Sequence, residues 1–313
     1  MDEHDLLARC WAPAVADARS GTDALGALPV AERIRAVARA GFSGIGLGLE
    51  DLHETRVTIG LEALRRVLDD VGLVWVQLGT LEDWWTTGDR RAVSDLDRMV
   101  VLEAAAALGA AQIVVAADTT TPMTSPTTMA DDWLALAAQA EQVGAQVVLS
   151  AAPTSNLGTT ERAARFVQQA GHPNGGLVLD IAHAVAGGST VASLRAAIDP
   201  AFLFAVELSD AAGPDSVSTW AGDRRALPGG GLGDLPALVH VARELGHGEP
   251  WGVEVRTAVT DGMSAADALR TAAAASRAVL DAADAIGAPA APPMPSSSAP
   301  ASAVDADLPY TPI

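Results

Sequence analysis

Eight short apolar runs, each separated from the next by a segment with helical spacing, constrain this chain more than any other feature. The runs are Leu6–Trp11, Gly44–Leu49, Leu73–Leu78, Gln112–Ala117, Gln146–Leu149, Gly176–Ile181, Phe202–Leu208 and Trp251–Val255. Amphipathic segments at Val30–Ala40, Gly60–Val71, Ser94–Leu108, Ala130–Val143, Thr159–Ala170, Val191–Ile198 and Leu235–Leu245 lie between them. Gly41, Gly72, Gly109, Gly144, Gly171 and Gly246 each come just after a helical segment, where a left-handed cap is expected. Strand alternating with helix implies parallel strands joined by right-handed crossovers, and eight repeats favour a closed (β/α)8 barrel over an open sheet. The barrel is expected over residues 1–286. Residues 287–313, rich in Pro, Ala and Ser, read as an extended or disordered tail, or more sharply as a cover for the active site or an arm that docks a subunit.

Composition then removes whole classes of chemistry. All 20 basic residues among the 313 are Arg, so Schiff-base chemistry, pyridoxal phosphate attachment and a P-loop lysine are excluded. With 39 acidic residues the formal charge is −19, which argues against nucleic acid and against anionic membranes. Cys10 is the single cysteine, so neither an intrachain disulfide nor a zinc site built on thiolates can form; beside Trp11 it reads as packing. Gly229-Gly230-Gly231 lacks the strand context of a dinucleotide turn. No apolar run is long enough to span a bilayer, and Met1–Arg19 does not have the pattern of a signal peptide, so a soluble, cytoplasmic protein acting on a small molecule is expected, with a homo-oligomer allowed.

In such a barrel the chemistry sits at the C-terminal ends of the strands. There the sequence has Asp180 with His183 after the sixth run, Glu207 in the seventh, Glu254 and Arg256 in the eighth, and Glu50-Asp51-Leu52-His53 after the second. A carboxylate between Val and Leu in a barrel strand is costly to bury without a cation or donors. One shared divalent ion on Asp180, Glu207 and Glu254 is the economical solution, with His183 as a fourth ligand or as a donor to the substrate. The alternative is a structural network with Arg224, Arg225 and Arg256. Guanidinium groups at the mouth also suit phosphate or carboxylate. Trp84, Trp85 and Trp220, in loops beyond the third and seventh strands, either cover an apolar or sugar face or pack in the core. His4, His172, His240 and His247 read as solvated or structural.

From Leu28 to about Ala283 the sequence resembles the sugar phosphate isomerase/epimerase family, the xylose isomerase-like TIM barrels. The resemblance is carried by Ala31-Glu32-Arg33 before Ala40-Gly41-Phe42, by Ala104–Gly109, and by Leu179-Asp180-Ile181-Ala182-His183 leading to Gly187-Gly188. It continues in Val206-Glu207-Leu208-Ser209-Asp210, Arg224-Arg225-Ala226-Leu227-Pro228-Gly229 and Trp251-Gly252-Val253-Glu254-Val255. It implies one divalent ion, Mn²⁺ or Mg²⁺, held by strand-end residues, with Asp180 and Glu254 matching directly and Glu207 replacing a His or Gln. The sequence departs from the pattern at Ser150, where the family has Glu, and at Gly230. Since Ser150 cannot serve as the second base of an epimerase, the resemblance implies chemistry with one base, Glu254 and His183 being the catalytic candidates. Arg224, Arg256, Ser150 and Trp220 are the candidates for substrate contact. The expected activity is an isomerase/epimerase-like proton transfer next to a carbonyl in a small sugar or polyhydroxy substrate. The alternatives are a lyase or dehydratase on the same scaffold, or a degenerate barrel that binds without turnover.

Overall fold

The structure, a computed structural model, describes residues 4–9, 25–117, 126–213, 225–254, 259–260 and 262–287. Eight parallel strands close into a barrel: β1 (Leu6–Arg9), β2 (Gly44–Leu47), β3 (Trp75–Leu81), β4 (Gln112–Ala116), β5 (Gln146–Ser150), β6 (Gly175–Asp180), β7 (Leu203–Leu208) and β10 (Trp251–Glu254). Each of the eight expected runs contains one of these strands or overlaps it. Between β7 and β10 a short antiparallel pair, β8 (Asp210–Ala211) with β9 (Arg225–Ala226), lies apart from the barrel sheet. The helices that surround the barrel include α1 (Val30–Arg39), α3 (Leu61–Val71), α4 (Gly88–Leu108), α6 (Thr160–Ala170), α9 (Leu235–Glu244) and α10 (Ala265–Gly287). All six glycines expected after helical segments have positive φ, between 63° and 86°. No helix among the described residues is long and apolar enough to cross a membrane.

Strand alternation sorts the apolar residues into two cores. Leu6, Ala8, Val147, Leu149, Leu177, Leu179, Trp251 and Val253 face the helices, in one large core with residues such as Leu64, Leu68 and Leu238. Val114, Val148, Val178 and Ala205 form a second, small core inside the barrel, with Phe204 packed against it. The period of two also fixes the direction of the strand ends: Ser150, Asp180 and Glu207 lie two residues beyond Val148, Val178 and Ala205, and so turn inward. By the same alternation Arg9, Gly252 and Glu254 are on the inner side of β1 and β10. The register binds these positions into one ring, with Asp180 beside Glu207, Glu207 beside Gly252, and Glu254 beside Arg9.

Two helices were not expected from the sequence. The segment Glu50-Asp51-Leu52-His53, expected to follow directly on the second strand at the barrel mouth, lies in α2 (Leu49–Val57), where Asp51 accepts a hydrogen bond from the Gly48 N–H at 3.0 Å. Asp51 pairs with Arg33 of α1 in a buried ion pair, so it ties two helices together rather than facing the barrel mouth. His53 is on the surface, 3.0 Å from Asp97. The other is α7 (Ile181–Ala186), which continues directly from β6 and has Asp180 as its N-cap.

Candidate active site at the barrel mouth

Asp180 ends β6 and starts α7, and both roles shape its surroundings. Its Oδ1 accepts the His183 backbone N–H at 3.1 Å, as an N-cap side chain does. Its Oδ2 accepts Arg225 Nη1 at 2.7 Å, and His183 Nδ1 lies 3.2 Å from the same oxygen. Arg225 also donates to Ser209 Oγ at 2.7 Å, and its Nη2 is 3.1 Å from His183 Nε2. A guanidinium can only donate, so Nε2 is the acceptor in that contact. Arg225, Asp180, His183 and Ser209 are all buried and hold one another in a single network.

Arg225 is brought to the mouth by the β8–β9 pair, and Asp210 secures that pair. Its carboxylate accepts the N–H groups of Ala211, Gly231 and Gly233, each at 2.9 Å. Gly231 is required at this close approach, because a Cβ there would lie 2.4 Å from the Ala211 carbonyl oxygen. Gly231, the last of the Gly229-Gly230-Gly231 run, thus folds with Gly233 around a buried aspartate.

Glu207 is paired with Arg9, across a sequence distance of 198 residues, and both side chains are 1% exposed. To reach β1, Glu207 passes over β10, where Gly252 makes room: an added Cβ would lie 3.1 Å from Glu207 Cγ. The other oxygen, Oε1, has no hydrogen-bond partner among the described residues, and neither has the fully buried Ser150 hydroxyl. Glu254 is half-buried at the end of β10.

The two neighbouring acids are pushed in opposite directions. Burial raises Glu207 to about 8; Arg9 opposes this, and the negative charges of Asp180 and Glu254 add to it. Burial acts on Asp180 too, but Arg225, then His183 and its backbone N–H, hold its carboxyl well below the usual range. One carboxyl whose ionisation burial opposes, beside one held ionised, is an arrangement suited to acid and base work.

The sequence-predicted residues Asp180, His183 and Glu207 come together with Arg225 at this mouth, and Glu254 and Ser150 end strands of the same ring. Arg224, Trp220, Arg256, Cys10 and the 288–313 segment lie outside the described residues. Trp84 and Trp85 are buried; the Trp84 indole N–H donates to the Ala116 carbonyl at 2.9 Å, and its ring lies 5.9 Å from that of Trp133. They are core residues. His247 is held against Trp251 with ring centroids 4.6 Å apart, and burial lowers its pKa to about 4.

Sequence reasoning missed Arg9. The signal was present, because an arginine inside an apolar run raises the same burial problem as an acid. Arg9 and Arg225 bear directly on whether a divalent ion suits this mouth. Asp180 spends both oxygens on internal donors and Glu207 spends one on Arg9. Among the described residues, the one set of three His, Asp or Glu ligand atoms within 4.8 Å of one another is His4, Asp281 and Asp284, which belong to the segment before β1 and to α10. The donors at the mouth, as arranged, do not fit a shared divalent ion.

A family model described as xylose isomerase-like TIM barrel matches residues 34–284. No curated protein matches the sequence. Among solved structures, the IOLI protein with a bound zinc atom is similar with a TM-score of 0.75 at 21% identity, over 88% of this chain and 98% of that one. D-psicose 3-epimerase from Clostridium cellulolyticum H10, with D-tagatose, gives 0.65 at 16% identity, over 89% and 99%. A xylose isomerase-like TIM barrel/4-hydroxyphenylpyruvate dioxygenase fusion protein gives 0.69 at 20% identity over 86% of this chain, which spans 42% of that longer protein. At these identities the likeness to solved structures is one of fold, whereas the family match covers most of the sequence. The chain belongs to the xylose isomerase-like TIM barrel family.

Proposed function

We propose that the chain is an enzyme of the isomerase/epimerase kind, moving a proton next to a carbonyl in a small sugar or polyhydroxy substrate bound at the barrel mouth. The observation that carries this reading is the charged ring at the C-terminal ends of β1, β6, β7 and β10, where an ionised carboxylate, a carboxyl with a raised pKa and two guanidiniums meet. In this reading Glu254, the half-buried acid of the ring, is the base. It takes the proton as the C–H bond breaks, and the electron pair moves to the carbonyl oxygen to give an enediolate. Guanidinium N–H groups facing that oxygen stabilise the developing charge, as preorganised donors do. His183, whose Nε2 accepts from Arg225, acts as a positioning residue. Arg224, Arg256, Trp220 and Ser150 remain proposed substrate contacts.

One similar protein binds zinc, and Mn²⁺ or Mg²⁺ on Asp180, Glu207 and Glu254 is the expectation from sequence. With Asp180 and Glu207 each engaged by a guanidinium, every step here is assigned to the chain's own residues. Elimination of a β-hydroxyl is the second reading, favoured by the raised pKa of Glu207, which suits it to protonate a departing hydroxyl.

The test is solvent deuterium exchange at the carbon next to the carbonyl, monitored by NMR over a panel of ketoses, aldoses and hydroxy-ketoacids. Glu254→Gln is expected to slow exchange by about 10²–10⁴-fold while leaving the fold intact. Exchange unchanged in that variant would remove Glu254 as the base. A product lighter by one water assigns the lyase reading.

A further inference from the structure

We infer that Arg9 stands where a divalent ion would otherwise be needed, so that the barrel mouth is a metal-independent site whose positive charge comes from two arginines of the chain. The inference rests on the arrangement of charge and donors, and is independent of the proton-transfer reading.

Three strand-end acids face this mouth, and each needs compensation if it is to remain charged where water is scarce. Arg9 supplies it to Glu207 and Arg225 to Asp180. Neither guanidinium is a loose surface group. Arg9 belongs to β1 itself, in register with Gly46 on one side and Glu254 on the other, and is as buried as the acid it meets. Arg225 is gripped by Asp180, Ser209 and His183 together. An ion approaching Asp180 would have to displace Arg225 from all three, or the His183 N–H from the helix cap. An ion approaching Glu207 would meet the like charge of Arg9.

The sequence supports the substitution at two further points. Ser150, the inward residue that ends β5, brings a neutral hydroxyl where an anionic ligand would favour a cation. Gly252 clears the space over which Glu207 extends toward β1, so the pairing with Arg9 is built into β10 as well as into its two partners. Arg9 and Arg225 already bring a positive charge to Glu207 and to Asp180, so a divalent ion would compete with two cations that are built into the chain.

Mn²⁺ titrated into the purified full chain and monitored by electron paramagnetic resonance, with Asp180→Asn in parallel, tests this without substrate. Any ion taken up by His4, Asp281 and Asp284 is common to both proteins and cancels. The expected result is identical binding curves, with any shift of the thermal midpoint by Mn²⁺, Zn²⁺ or a chelator the same in the wild type and in Asp180→Asn. One Mn²⁺ per chain that Asp180→Asn loses would overturn the inference. Arg9→Ala/Ser150→Glu, which removes the internal cation and places an acid on β5, is expected to bind Mn²⁺ at least about tenfold more tightly than the wild type. Equal affinity would overturn the role given to Arg9. If this variant does not fold, the wild-type comparison stands by itself. A failed deuterium-exchange experiment would leave both readings of Mn²⁺ intact.

Discussion

At the N-terminal end of the barrel, Gln77 donates to Gln112 at 3.0 Å and Gln112 donates to the Phe204 carbonyl at 2.9 Å. At the C-terminal end, Arg9, Glu207, Asp180 and Arg225 form ion pairs. Both sets point into the same barrel, on either side of the small core of Val114, Val148, Val178 and Ala205. The amides are neutral groups that close one end with ordinary hydrogen bonds. The charged groups carry a much larger desolvation cost, and a stable protein has little reason to place them there for packing alone. What separates the ends is therefore the kind of polar group buried, and only the charged end suits chemistry.

The sharpest break in that contrast is Arg225→Leu. It leaves ionised Asp180 buried without its main counter-charge, and is expected to cost about 3–5 kcal/mol in urea unfolding, the usual range for one half of a buried pair. Arg225→Leu/Asp180→Leu should recover a large part of that loss. A single-variant cost below about 1 kcal/mol would show that the pair is not what holds the mouth together.

The pH dependence of stability separates the two acids. Glu207 has a folded pKa raised from 4.5 to about 8, so its contribution is complete below about pH 4.5 and is lost as pH rises through about 8. Asp180 has a lowered folded pKa, so its contribution is present above about pH 3.8 and is lost as pH falls. Glu207→Gln should flatten the decline of the thermal midpoint between about pH 5 and about pH 8 and leave the acid side unchanged. An unaltered alkaline slope would locate that titration elsewhere.

The smallest effect belongs to the amide end. Gln77→Leu removes one donor from Gln112 and should cost about 1–2 kcal/mol, with turnover of any substrate unchanged. A large loss of activity in this variant would mean that the two ends are coupled through the barrel.

The architecture was legible because its signals are local. Apolar residues two apart make the strands, apolar residues three and four apart make the helices, and glycine caps mark the boundaries; each of these is read within a dozen neighbours. The inward direction of Asp180 and Glu207 comes from the same alternation, so the acids of the mouth could be named from the chain alone. α2 escaped because Leu49–Val57 lacks a clear apolar face, and the β8–β9 pair because two-residue strands carry no periodicity.

What the sequence by itself determined is the eightfold repeat, the family, and the set of acids that need a cation. Only the tertiary structure decided which cation serves each of them. Arg9 meets Glu207 across 198 positions because closing the barrel brings β1 beside β10 and within reach of β7, and Arg225 meets Asp180 because a short antiparallel pair carries it back to the mouth. Charge pairing depends on distance in space, which no local pattern encodes.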